Sequence, residues 1–277
     1  MAVALPEDTY GTRKRMAFIE TAITAHAPRT VLDVGCGVGN VSLSVAELFP
    51  GVAVTGIDSD RNSIEYARRR GGSSNVRFLH DSEFGTREKF DFIIASEVLE
   101  HVEQPERFLR SLRERLNAGG HLLVTVPNGY GPFEFMSLAE GFLRLSGVYR
   151  VLRALRRATR GATQDAAPTP DTLAISPHVN FFSFRRLQGL FARTGFQVHA
   201  YQPRTLLCGF LLDHCIRGRR LIEWNASVTD RLPPFLSSDW MFLLAAERTV
   251  EPAGDWSPGL YGRLHRYVNQ RCASSRQ

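Results

Sequence analysis

Cysteine is scarce in this chain and irregularly spaced. Its four copies, Cys36, Cys208, Cys215 and Cys272, share no CxxC spacing and are too few for a disulfide framework. They read as small apolar fillers in a protein of the reducing cytoplasm. Long apolar runs are lacking too, since none approaches the roughly 18–20 residues of a membrane-spanning helix. The N-terminus, "MAVALPEDTYGTRKRM", has no long apolar region behind a basic one, which argues against a secretory signal. No internal repeat, RNA-binding module or interleaved basic and aromatic patch is visible, so a nucleic-acid partner is disfavoured.

What is present is an ordinary globular composition, 277 residues with 43% hydrophobic and 22% charged. That length is enough to bury a full core. The net charge of +6 has a local origin. Six arginines (Arg144, Arg150, Arg153, Arg156, Arg157 and Arg160) fall between 144 and 160 without an acid, and the remaining 28 Lys and Arg balance the 28 Asp and Glu. The molecule is a near-neutral body with one basic segment.

Short apolar runs alternate with helical patterns. Residues 7–27 read as an amphipathic helix, the main part of an N-terminal helical cap over 1–27. "TVLDV" (30–34), "VAVTGID" (52–58), "NVRFL" (75–79), "FDFIIA" (90–95) and "HLLVTVP" (121–127) read as strands. Helices are expected over 40–49, 60–70 and 104–116. Such alternation predicts an α/β fold with a mostly parallel sheet covered on both faces. After Pro127 the pattern breaks, and it resumes with a helix over 183–195 and strands over 196–203 and 240–247. The expected main domain is 28–250, with insertions at 130–177 and 206–239. The tail at 251–277, rich in Gly, Pro, Arg and Ser, is expected to pack loosely.

The first strand runs into "VLDVGCGVGN", carrying Asp33, Gly35, Cys36, Gly37 and Gly39. Glycines here let a ligand approach the backbone closely and leave the next helix N-terminus open to it. About twenty residues on, "GIDSD" sets Asp58 and Ser59 at the end of the second strand, where an acid can accept ribose hydroxyls. Spacing alone fits a dinucleotide fold. The acid within the motif, however, would repel a pyrophosphate and suits an ammonium-bearing ligand, which favours S-adenosylmethionine over NAD.

"VLDVGCGVGN", "GIDSD", "FLHDSEFG", "FDFIIASEVLEHV" and "LNAGGHLLVTVPN" together resemble the class I S-adenosylmethionine-dependent methyltransferases. Within that family the chain is most similar to the small-molecule enzymes related to ubiquinone-biosynthesis O-methyltransferases, over roughly residues 28–130. The resemblance implies a Rossmann-like seven-stranded sheet with the last strand antiparallel and the cofactor across the strand C-termini. It also implies that Gly35, Cys36 and Gly37 line the methionine moiety, that Asp33 orients its amine and that Asp58 binds the ribose. Asp81 and Ser82 would lie by the adenine, and Ser96 beside the methyl group. S-adenosylhomocysteine would be the product.

"ASEVLEHVEQP" ends the fourth strand with Glu97, Glu100 and His101. On a helical turn these fall at i, i+3 and i+4 and share one face. Three readings stay open: a divalent cation such as Mg²⁺ held by Glu97, Glu100 and His101, His101 as base or substrate contact, or a structural cluster. His178, in "SPHVNFFSF", is a second candidate ligand or base, and Asn128 and Tyr130 are expected in the same cleft. The Asn/Asp-Pro-Pro-Tyr sequence of methyltransferases acting on base nitrogens or glutamine is replaced here by Ser96-Glu97-Val98-Leu99. The expected reaction is O-methylation of a small-molecule hydroxyl, on a secondary metabolite, quinone-like compound or sugar. N- or C-methylation, a lipid-like acceptor and a non-catalytic cofactor-binding scaffold are the alternatives. Residues 138–160 interleave arginines with leucine and phenylalanine. They fit either a lid over the cleft or a peripheral contact with an anionic membrane.

Overall fold

The computed structural model of the chain describes residues 11–85, 88–131, 178–206, 219–247 and 259–274. The basic segment and most of the first expected insertion lie outside the described residues. Seven strands form one sheet: β1 Thr30–Val34, β2 Ala53–Asp58, β3 Val76–His80, β4 Phe90–Ser96, β5 Leu116–Pro127, β6 Phe196–Pro203 and β7 Asp239–Ala246. Their order is β3-β2-β1-β4-β5-β7-β6. β1 to β5 pair in parallel, and β7 runs antiparallel between β5 and β6. The alternating pattern predicts the mostly parallel sheet, and the family resemblance its seven strands with the last antiparallel. The helices are α1 Thr12–His26, α2 Asn40–Leu48, α3 Arg61–Arg70, α4 Pro105–Glu114, α5 Phe184–Arg193, α6 Arg219–Val228 and α7 Leu260–Ser274.

Neighbouring residues of the central strands point to opposite faces, and both faces are apolar. Leu32, Ile93 and Leu122 join Leu109 and Leu112 of α4 and Leu187, Leu190 and Phe191 of α5 in one core. Val31, Ile94 and Leu123 join Ile19 and Ile23 of α1 and Val45 of α2 in the other. Each fully buried Leu or Ile contributes roughly 1.5–3 kcal/mol, so the two layers pin the central strands from both sides.

Asp60 caps α3 by accepting from the Asn62 and Ser63 amides at 3.3 and 2.9 Å, and Pro105 opens α4. Two expected elements change. The helix expected over 104–116 stops at Glu114, and β5 starts at Leu116, not His121. Leu116 pairs with Phe90, so Gly119 (φ 77°) and Gly120 mark an irregular register inside the strand and not a loop. The tail expected to pack loosely contains α7. Its Tyr261, His265 and Val268, at i, i+4 and i+7, make an inward stripe. His265 lies against Phe181 (ring centroids 4.2 Å), and the Arg266 guanidinium donates to the Val179 carbonyl at 3.0 and 3.2 Å. Among the described residues no helix is long and apolar enough to cross a membrane.

Candidate active site

Strand order reverses between β1 and β4, so the connections on either side diverge and leave a crevice beyond the strand C-termini. The turn after β1 enters it. Gly35, Gly37 and Gly39 all take left-handed backbone, with φ of 68°, 53° and 80°. They serve different ends. A Cβ on Gly35 would lie 2.6 Å from Val98, and one on Gly39 2.7 Å from the Phe78 ring, so both permit close packing. A Cβ on Gly37 would meet nothing within 4 Å, so this glycine borders open space. The Gly37 amide donates to Asp58 Oδ2 at 2.7 Å, and the Asp60 amide to Asp58 Oδ1 at 2.8 Å. Each Asp58 oxygen retains a lone pair for a further donor.

Asp33 is buried and accepts from Ser42 Oγ at 2.6 Å. Burial pushes its pKa from 3.8 to about 6, against the opposing hydrogen bond from Ser42 and the charge of Arg15. Burial, followed by the charges of Asp33 and Asp58, also pushes the Cys36 thiol well up, so it lines the turn as a neutral group. At the end of β3, Asp81 and Ser82 begin a single 3₁₀ turn, Asp81–Glu83. His80 ties this turn to β2, with Nε2 3.0 Å from the Ser59 carbonyl and Nδ1 2.7 Å from Ser82 Oγ. A carbonyl only accepts, so the neutral ring carries its proton on Nε2 and accepts from Ser82.

The floor of the crevice is a chain of polar contacts around Glu97. Thr125 Oγ1 donates to Glu97 Oε1 at 2.7 Å. Its single proton is then used, so the Ser96 hydroxyl, 2.9 Å away, donates to Thr125. Arg15 Nη1 in turn donates to Ser96 Oγ at 3.3 Å. From the other side Arg204 Nη1 reaches Glu97 Oε1 at 3.1 Å, while Arg204 Nε lies 3.6 Å from Asp239 Oδ2. Burial pushes the Glu97 carboxyl up, but Arg204 and Arg15 outweigh it and hold it below the ordinary glutamate range. Asp239, which accepts from Ser238 Oγ at 2.6 Å, is raised by burial despite Arg204. Arg15 is lowered, by burial first and by Arg204 second.

The one-face arrangement of Glu97, Glu100 and His101 does not form. Glu97 has left-handed backbone (φ 58°), and only Leu99–His101 make a 3₁₀ turn after it. Glu97 thereby turns to Arg204, away from the other two. The group that does assemble is Glu100, His101 and His178, whose ligand atoms all lie within 4.8 Å of one another. His101 Nε2 is 3.9 Å from Glu100 Oε1, and the His101 and His178 rings meet edge-on with centroids 4.9 Å apart. The backbone brings them together. Val179 and Asn180 amides donate to the Glu100 carbonyl at 2.8 and 2.9 Å, and the Asn180 side chain donates to the Leu99 carbonyl at 3.3 Å and to that of Val102.

Asn128 is buried as structural support, donating to the Phe235 and Ser237 carbonyls at 2.9 and 2.8 Å, and Tyr130 stacks on Tyr261. Sequence reasoning missed Arg15, Thr125, Arg204, Asp239 and His80. Arg204 directly follows β6 and Asp239 opens β7, so a charge at the end of an apolar strand was the available signal.

The chain matches a family described as a methyltransferase domain over residues 10–201. It is 36% identical over 104 residues to the mitochondrial ubiquinone biosynthesis O-methyltransferase of Schizosaccharomyces pombe, covering 35% of this chain and 37% of that protein. It is 32% identical over 161 residues to the ubiquinone biosynthesis O-methyltransferase of Chelativorans sp., covering 52% and 60%. The chain thus spans less than two thirds of the length of these curated relatives. Among solved structures it shares its fold with PKMT2 from Rickettsia typhi (TM-score 0.51, 17% identity, 80% of this chain and 51% of that one). It also shares it with the [4+2]-cyclase SpnF (TM-score 0.51, 19% identity, 87% and 82%). With a family match over well more than half its residues, on a seven-stranded sheet with β7 antiparallel, the chain belongs to the methyltransferase domain family.

Proposed function

We propose that this protein is an S-adenosylmethionine-dependent methyltransferase that methylates a hydroxyl oxygen of a small molecule. The observation that carries the proposal is a juxtaposition. The open glycine turn and Asp58 lie beside the Ser96–His101 segment, at the point where strand order reverses. The two O-methyltransferase relatives support oxygen as the acceptor atom.

The residues fit the cofactor. Gly37 opens on unfilled space, Gly35 and Cys36 bring backbone to its edge, and Asp33 offers a buried carboxylate to an ammonium group. Arg15, whose buried Nε has no hydrogen-bond partner among the described residues, is placed beside Ser96 to meet a carboxylate. Asp58 has lone pairs for ribose hydroxyls, and Asp81 and Ser82 stand at the adenine end. When bound, S-adenosylmethionine supplies an activated methyl group.

The protein's own contribution is alignment, exclusion of water and removal of the acceptor proton. His101 is the base. Its ring can take the hydroxyl proton, and the adjacent Glu100 carboxylate stabilises the imidazolium that results. His178 borders His101 and contacts the acceptor. Glu97, held ionised by Arg204 and Arg15, is a poor base and positions Ser96 through Thr125.

Mg²⁺ does not fit the cluster. It takes oxygen ligands, whereas this group has one carboxylate and two imidazoles, and Glu97 is engaged elsewhere. No step requires a metal. For the basic segment 138–160, which lies outside the described residues, contact with an anionic membrane is the reading open to test. Binding to anionic vesicles that disappears on neutralising Arg153, Arg156 and Arg157 would select the membrane.

The test is transfer of a labelled methyl group to a panel of hydroxyl, amine and carbon acceptors in excess chelator. Label on hydroxyl compounds, lost in His101→Gln, is expected. Label on amines or carbon alone would redirect the assignment, and no transfer to any acceptor would contradict it.

A further inference from the structure

We propose that His26, His121 and His199 form a binding site for a zinc-type divalent transition-metal ion, separate from the active site. The three histidines come from distant parts of the chain. His26 is the last residue of α1, His121 lies in β5, and His199 occupies the irregularity of β6 between Val198 and Ala200. Their ligand nitrogens all lie within 4.8 Å of one another. The His26 and His121 rings stand 3.7 Å apart between centroids, and His199 lies 5.7 Å and 5.6 Å from them. Among the described residues none of the three rings has a hydrogen-bond partner, and the ring contacts of each are with the other two.

The donor set is selective. Three imidazoles without a carboxylate suit zinc, nickel, copper or cobalt and exclude the oxygen-seeking magnesium and calcium. Zinc takes imidazole nitrogen at roughly 2.0–2.1 Å, and three protein ligands leave the fourth tetrahedral position to solvent or a small anion. Side-chain movements on the order of 1 Å bring the nitrogens to that distance. His26 and His121 also line a recess of about 390 Å³ with Arg29 and Asp91, so solvent reaches the cluster.

The site lies away from the methyl-transfer crevice. His121 pairs with Phe92, four residues before Ser96 on β4, a separation of about 13 Å along the strand. α1 links the two places, because Arg15 in its first turn reaches Ser96 and His26 ends it, about 16 Å apart along the helix. A bound ion would therefore clamp α1 to β5 and β6 and fix the helix that delivers Arg15. The role is structural.

The test is titration of untagged, chelator-stripped full-length protein with Zn²⁺ against a chromophoric competitor. Co²⁺ serves as a second ion whose visible absorption reports tetrahedral coordination. One equivalent per chain is expected to weaken at least tenfold in each of His26→Asn, His121→Asn and His199→Asn and to persist in His178→Asn, whereas any second equivalent lost in His178→Asn belongs to the Glu100–His101–His178 group. His199 is exposed, so its substitution leaves the metal-free melting temperature unchanged and separates loss of binding from loss of fold. Zinc should raise the melting temperature of the parent and not that of the His199→Asn protein. Absence of an equivalent in the parent would overturn the site, as would binding retained in all three variants or binding lost only in His178→Asn. The readout is metal binding, so it does not depend on methyl transfer.

Discussion

Asp33 is the buried acid of the glycine turn. Its folded pKa of about 6 stands above its ordinary 3.8, so the folded state binds the proton more tightly than the unfolded chain. Its contribution to stability is present below about pH 4 and is lost as pH rises through 6. Cofactor affinity should run the other way, because an ammonium needs the ionised carboxylate. Affinity is expected to fall as pH drops through 6, and a calorimetric pH series should show that limb flattened in Asp33→Asn. The ion-pair cluster gives a second prediction. Arg204→Met would leave Asp239, 6% exposed at its side chain, and Glu97, 30% exposed, without their shared cation. Removing one partner of a buried pair costs about 3–5 kcal/mol, and the partial exposure of Glu97 places this variant near 3. Urea denaturation measures it, and a loss below about 1 kcal/mol, the range of an exposed pair, would count against the cluster. Asp33, Gly35 and Gly37 were legible in the sequence because one short motif holds them, and Asp58 because it ends the next strand at a fixed spacing from that motif. Arg15, Thr125, Arg204 and Asp239 were not, because only the folded sheet makes them neighbours.

At the scale of elements, most strands and helices follow from apolar runs and their punctuation. β1 Thr30–Val34 is the stretch expected, and Asp60, Pro105 and Gly71 mark helix ends by familiar chemistry. Glycine misled at β5, where Gly119 and Gly120 suggest a loop but lie in an irregular strand. The surrounding Gly, Pro and Arg content concealed α7. The turn after β4 was misjudged for a different reason, since left-handed Glu97 interrupts the helix that its spacing suggested. That turn depends on Asn180, whose side chain donates to two carbonyls of 99–102. Asn180→Ala would strip a buried carbonyl of its donor at a cost of about 1–3 kcal/mol and loosen His178 against His101. Turnover should fall at least tenfold while cofactor affinity stays within twofold. Equal losses in both would mean that the segment supports the cofactor site instead.

For the whole molecule, the sheet order decides where chemistry can occur. The reversal between β1 and β4 gathers the glycine turn, Asp58 and the Glu100–His101–His178 group at one end, while the three-histidine cluster lies toward the other. Fold class was readable from alternation, and the cofactor motif from the acid within the glycine turn together with the family resemblance. The acceptor was not, because no motif encodes the side chains that meet it. A shared fold leaves the reaction open, as the likeness to a [4+2]-cyclase illustrates. The central claim is that the glycine turn and Asp58 hold the cofactor beside the segment that begins at Ser96. Calorimetric titration of the full chain with S-adenosylhomocysteine tests it most directly. One equivalent, weakened at least tenfold in Asp58→Ala with the melting temperature preserved, is the predicted result; no binding by the parent, or equal binding by the variant, would contradict it.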